Sequence, residues 1–162
     1  GARVMATEDQ KQKNLMRLMT LMIGGMAKAL YDLFGESAFA TMNEVGKTTM
    51  YIMEEEMGLG LDGETPMDVL KEIGGIFANE MGFVESFSTS QEGNQMILAV
   101  NRCQGWDLTQ SILKTGVEIP FTCPIMNVCQ SAVACMGFSV RKNIETIAEV
   151  QGCRIIFTMI ER

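Results

Sequence analysis

Three of the chain's five cysteines fall in one stretch, CPIMNVCQSAVACMG, from Cys123 to Gly137. The other two, Cys103 and Cys153, stand about twenty residues to either side. Thiols grouped this way can hold a metal ion, exchange electrons or line a pocket. The stretch reads as a complete helix, with Cys123 at the cap, Pro124 at the first helical position and Gly137 where a left-handed terminator belongs. Helix geometry limits what the trio can do. Six residues at about 100° each leave consecutive members about 120° apart, so one straight helix cannot aim Cys123, Cys129 and Cys135 at a single ion. The spacing also departs from the short C-x-x-C patterns of structural zinc and common iron–sulfur proteins. A subset can still converge: Cys123 can meet Cys103 or Cys153 if the flanking strands form one sheet beneath the helix. At a helix N-terminus its thiolate is also expected to be favoured. Cys129 and Cys135 are expected to include at least one inert core thiol.

Composition excludes several chemistries. The sequence contains no histidine, which removes the usual general base, any Ser-His or Cys-His nucleophile pair and histidine-ligated metal. An enzyme is therefore the least favoured class. A net charge of -7 argues against direct binding of nucleic acid, whose affinity comes from clustered Lys and Arg. No apolar run approaches the eighteen or so residues of a membrane span, and GARVMATEDQKQK has no signal-peptide core, so a cytoplasmic protein with reduced thiols is expected. Fifteen methionines suit a pliable core or a pocket for an apolar ligand.

The elements that must position these residues follow from periodicity. Residues 1–12 are expected as a flexible leader to a single domain over 1–162. Apolar residues from Leu15 to Leu30 recur at three- and four-residue spacing and predict a long helix over about Thr7 to Phe34, whose Gly24-Gly25 pair allows a close crossing or a kink. A second helix is predicted over Ser37 to Met57, with Phe39, Met42, Val45 and Met53 inward, Gly46 at a close contact and a solvated Glu54-Glu55-Glu56 end. Thr65-Pro66-Met67-Asp68 starts a third, running to Met81. The period then falls to two. FVESFSTS and QMILAVNRC, joined by QEGN, predict strands over about Phe83 to Thr89 and Gln95 to Arg102, the second covered on both faces. A short helix from Trp106 to Lys114, the cysteine helix and a closing hairpin complete the order αααββααββ: an α+β domain with an antiparallel sheet of about four strands and about five helices.

The closing run GFSVRKNIETIAEVQGCRIIFTMIE resembles the end of the 4-vinyl reductase domain family, the hydrocarbon- or small-molecule-binding domains, and TMNEVGKTTMYIMEEEMGLG is similar to that family's glycine-bearing second helix. The resemblance spans Leu15 to Ile160 in element order. It implies an α+β sensor domain for aromatic or other apolar ligands, often a homodimer. Some members hold a structural zinc through an early Cys, the Glu and Cys of Glu-x-x-Cys, and a final Cys. By that resemblance Glu145 and Cys153 match two ligands and Cys123, or less well Cys129, the early one; Ala148 stands at the remaining position, so Cys103 or another thiol would have to complete the set.

Three readings follow. The first is a noncatalytic small-molecule-binding or sensor domain with a pocket between sheet and helices, contacted by Trp106, Met126, Cys123 and Phe138, and holding its ligand mainly by burial of apolar surface. Asp107 and Glu145 are candidate polar contacts. The second is a cysteine-ligated metal or redox protein, with zinc or an iron–sulfur cluster on Cys103, Cys123, Glu145 and Cys153. The third is a scaffold subunit without a ligand.

Overall fold

The computed structural model describes residues 5–160. The first four residues of the expected leader lie outside that range, and the chain is helical from Glu8 onward. Helix α1 (Glu8–Phe34) starts at a capping box in which Thr7 and Gln10 each satisfy the other's backbone amide. A short 3-10 turn leads to α2 (Ala38–Tyr51), and α3 (Pro66–Gly75) begins on a second capping box, Thr65 with Asp68, as the TPMD motif requires. Both α2 and α3 widen into a π-helical final turn, Ile52–Glu56 and Ile76–Glu80. Strands β1 (Ser86–Glu92) and β2 (Gln95–Asn101) form the first hairpin, β3 (Val140–Ile147) and β4 (Gly152–Met159) the second. Between them lie α4 (Trp106–Leu113) and α5 (Pro124–Cys135). Strand β1 starts three residues later than its alternation suggests, because Phe83 and Val84 turn inward as a loop beneath α3.

All four strands are antiparallel in the order β1-β2-β4-β3, so the two hairpins make one sheet with β2 and β4 at its centre. Register sorts the side chains by face. Met96, Leu98 and Val100 pair with Phe157, Ile155 and Cys153, and all of them point to the side covered by α3 and α5. Their partners on β3 are Lys142, Ile144 and Thr146, so a lysine stands in a row that is otherwise apolar or neutral. On the opposite side, Ile97 and Ile156 shield each other across the β2–β4 ladder.

Helix α5 is the centre of the domain, buried at Ile125, Met126, Val128, Cys129 and Val133 between the sheet and α2. The crossing of α2 over α5 is close at Gly46, where a β-carbon would overlap the Asn127 carbonyl. A second small core, made by Tyr31, Phe39 and Phe121 with Ala27, Met42 and Ile112, fastens the C-terminal half of α1 to α2 and α4. Gly24 marks the α1–α4 approach, since a β-carbon there would sit 2.9 Å from Leu108 Cδ1. Among the described residues, no helix is long and apolar enough to cross a membrane.

Candidate functional site

The N-terminal half of α1 continues past its anchor and roofs a cavity of about 1110 Å³. Its roof is the stripe Met16, Met19, Ile23 and Met26, and its floor is formed by Met42 and Val45 of α2, the start of α4, the head of α5 and the Ile144–Cys153 end of the sheet. Ala27 is the one buried residue of α1, whereas Met19 and Ile23 are 46% and 48% exposed, because they face this space rather than packed protein. Val45, expected in the core, likewise looks into it. A second cavity of about 670 Å³ lies on the far side of Cys103 and Trp106 and includes the exposed Asp107.

Of the four ligand contacts expected from the sequence, two line the large cavity: Trp106 at the start of α4 and Cys123 at the head of α5. Met126 is fully buried, on the part of α5 pressed into the core, and so faces packed side chains. Phe138 is 41% exposed beyond the C-terminus of α5, past the Gly137 terminator with its φ of 86°. Neither lines the cavity: Met126 is on the core-facing side of α5's head, and Phe138 stands past the end of α5 opposite to that head.

Cys103, Cys123 and Cys153 all line the cavity, as the single sheet allows; Cys103 raises the proton affinity of Cys123, and both raise that of Cys153. Cys129 is buried in the core and Cys135 is exposed, which is the divergence that helix geometry requires. Burial pushes the Cys123 thiol up to about 12, outweighing the Met126 and Ile125 amides that pull it down. The expected thiolate at the helix head is therefore a protonated thiol: desolvation of the charged form exceeds the effect of the helix terminus. Burial raises Cys153, Cys129 and Cys103 as well.

Glu145 does not join the thiols. It pairs with Arg154 across the β3–β4 ladder, on the face of the sheet opposite Cys153, and meets the Arg154 guanidinium at 3.5 Å. Neighbouring strand residues point to opposite faces, so Thr146, not Glu145, is level with Cys153. Among the described residues no three Cys, Asp, Glu or His side chains are grouped so as to hold a metal ion. A zinc or iron–thiolate centre on Cys103, Cys123, Glu145 and Cys153 does not fit, since such centres need four converging ligands.

Two polar residues that the sequence did not single out sit at the head of α5. Asn127 is 2% exposed, donates to the Phe121 carbonyl at 2.9 Å and accepts from Lys142 Nζ at 3.1 Å. Burial lowers the proton affinity of Lys142, while the neighbouring Cys123 works in the other direction. Lysine at the third residue of an otherwise alternating strand is the signal that could have found this group: on β3 it lies level with the fully buried Phe157.

Residues 19–162 match a family model described as the putative rubredoxin C-terminal domain. No curated protein matches the chain. Among solved structures, the phenol-responsive sensory domain of the transcription activator PoxR, crystallised with phenol, is similar at a TM-score of 0.57 and 16% identity, over 86% of this chain and 74% of that one. Trafficking protein particle complex subunit 3 from Naegleria fowleri, covalently bound to palmitic acid, is similar at a TM-score of 0.54 and 12% identity, over 92% of this chain and 97% of that one. At these identities the likeness is one of fold. The matching family model carries a different name from the 4-vinyl reductase domain, and the α+β architecture which that resemblance implied is present.

Proposed function

Because the chain belongs to the putative rubredoxin C-terminal domain family, and its fold leaves a large apolar hollow under α1, we propose that it is a noncatalytic small-molecule-binding or sensor domain whose ligand is mainly apolar. The observation that carries this reading is the cavity itself. A volume of about 1110 Å³, walled by methionine, isoleucine and valine with threonine, amide and charged groups interspersed, has the make-up of a ligand site. Methionine walls adapt to their contents. The binding of phenol and palmitic acid by proteins of the same fold supports the reading without identifying the ligand here. The chemistry of the thiols points the same way. Each of those lining the cavity is held in its protonated form by burial, so none is a ready nucleophile.

Trp106 is the chain's single tryptophan and lines the cavity, so its emission reports occupancy. Titration with a long-chain alcohol should shift that emission saturably, at one ligand per chain, and raise the melting temperature. A linear, unsaturable response without stabilisation would leave the scaffold reading in its place.

The face of α1 turned away from the cavity supports a dimer. Leu15, Leu18, Met22, Gly25 and Ala29 follow one another at alternating spacings of three and four, the seam of a two-helix coiled coil. Leu15, Leu18 and Met22 are more than half exposed, and a β-carbon on Gly25 would meet nothing within 4 Å. Monomeric proteins rarely leave such a patch open. A second copy's α1 is the occupant proposed. Sedimentation should give twice the chain mass, and Leu18→Glu with Met22→Glu should give a folded monomer; a wild-type monomer at micromolar concentration would rule the dimer out.

A further inference from the structure

Building on the reading of the cavity as a ligand site, we propose that its ligand carries a carboxylate, seated at the head of α5 by Lys142 and Asn127, with an extended apolar tail lying along α1. The charge distribution argues first. The chain as a whole carries -7, yet the charged residues lining the cavity are Asp9, Lys13 and Arg17, of which Asp9 is occupied by Lys13 at 2.8 Å. Among the described residues no glutamate lines it. With Asp9 and Lys13 paired, an acidic protein encloses its hollow with one positive charge in excess, that of Arg17, which favours an anion over a cation.

The position of Lys142 argues second. Its side chain points to the helix-covered side of the sheet, between Val140 and the cavity-lining Ile144; Lys142 does not itself line the cavity but stands behind Asn127, which does and whose Oδ1 holds its Nζ. An ammonium has three donors and no acceptor. One goes to Asn127, and among the described residues no carboxylate forms an ion pair with it. Partly buried ammonium groups without a counter-ion are costly, and a ligand carboxylate would supply both the charge and the acceptor. The N-terminal end of the twelve-residue α5, next to the same spot, favours negative charge as well.

Shape argues for the tail. The lining residues of α1 run from Asp9 to Leu30, about 30 Å of helix at 1.5 Å per residue, longer than a single ring would fill. A monoanion matches one ammonium, so a simple carboxylic acid with a flexible chain is the class that fits.

The test compares dodecanoate with dodecan-1-ol by calorimetric titration of the full chain. Wild-type protein should bind the acid at least about tenfold more tightly than the alcohol, the range of a charge-assisted hydrogen bond. Lys142→Met should abolish that preference while keeping affinity for the alcohol. Lys142→Gln, which retains a donor for Asn127 without the charge, should also abolish it and serves if the methionine variant does not fold; Lys142→Arg should keep it. Equal binding of acid and alcohol by wild type, or a preference that survives removal of the Lys142 charge, would overturn the inference while leaving the apolar site intact. Binding of neither would overturn both.

Discussion

Gly46→Ala should destabilise the domain by about 2 kcal/mol, and Gly46→Leu should keep it from folding, whereas Gly25→Ala should stabilise it by up to about 1 kcal/mol. The three substitutions add apolar carbon to a helix and differ only in what the new atoms meet. At Gly46 a β-carbon would overlap the Asn127 carbonyl and lie 2.6 Å from Ser131 Oγ. The first of these is α5 backbone and cannot rotate aside, so α2 would have to lift off α5. Asn127 also holds the Phe121 carbonyl and the Lys142 ammonium, so a displaced crossing would disturb the head of the cavity. At Gly25 the added carbon meets nothing within 4 Å in the chain itself, and in the seam proposed above it would match Ala29, so the helix-propensity gain of alanine over glycine remains. Urea denaturation of the three variants measures the signs directly. A Gly46→Ala protein as stable as wild type would mean that α2 and α5 do not cross as closely as described.

The second large effect concerns the ligand. Met19→Glu combined with Ile23→Glu should weaken binding of an apolar ligand about a hundredfold or more while leaving the melting temperature of the empty protein nearly unchanged. Both side chains line the cavity and both are already about half exposed, 46% and 48%, so little folding energy depends on them. A carboxylate placed in the roof must lose its water when a ligand fills the space, and desolvating a charge against hydrocarbon is costly. Repulsion would add to this for an anionic ligand. Undiminished affinity in the double variant would place the binding surface elsewhere.

Much of this architecture was legible in the residues. The capping boxes at Thr7 and Thr65 and the Pro124 start and Gly137 stop of α5 each encode a local event that no tertiary contact overrides. The site was legible only in part. Trp106 and Cys123 stand at helix starts, and chain order brings the Ile144–Cys153 end of the sheet to them. A helix bearing apolar residues on every side does not reveal that Met126 meets packed protein rather than the cavity, and Phe138 does not line the cavity because it lies past the end of that helix. Glu145 was misread for a different reason: the motif that suggested it is a pattern in sequence, while the pleat turns neighbouring residues to opposite faces. The raised Cys123 thiol needed the burial of α5's head, which no sequence position announces. Lys142 was readable in principle, as a charge on the inward phase of β3.

The claim that the space beneath α1 holds an apolar molecule is tested most directly by native mass spectrometry of freshly purified protein, wild type beside Met19→Glu/Ile23→Glu. The wild-type spectrum should show a retained small-molecule adduct of one per chain that is released on denaturation, and the variant spectrum should show the bare mass. A bare wild-type mass that stays bare after incubation with long-chain acid and alcohol would contradict the account.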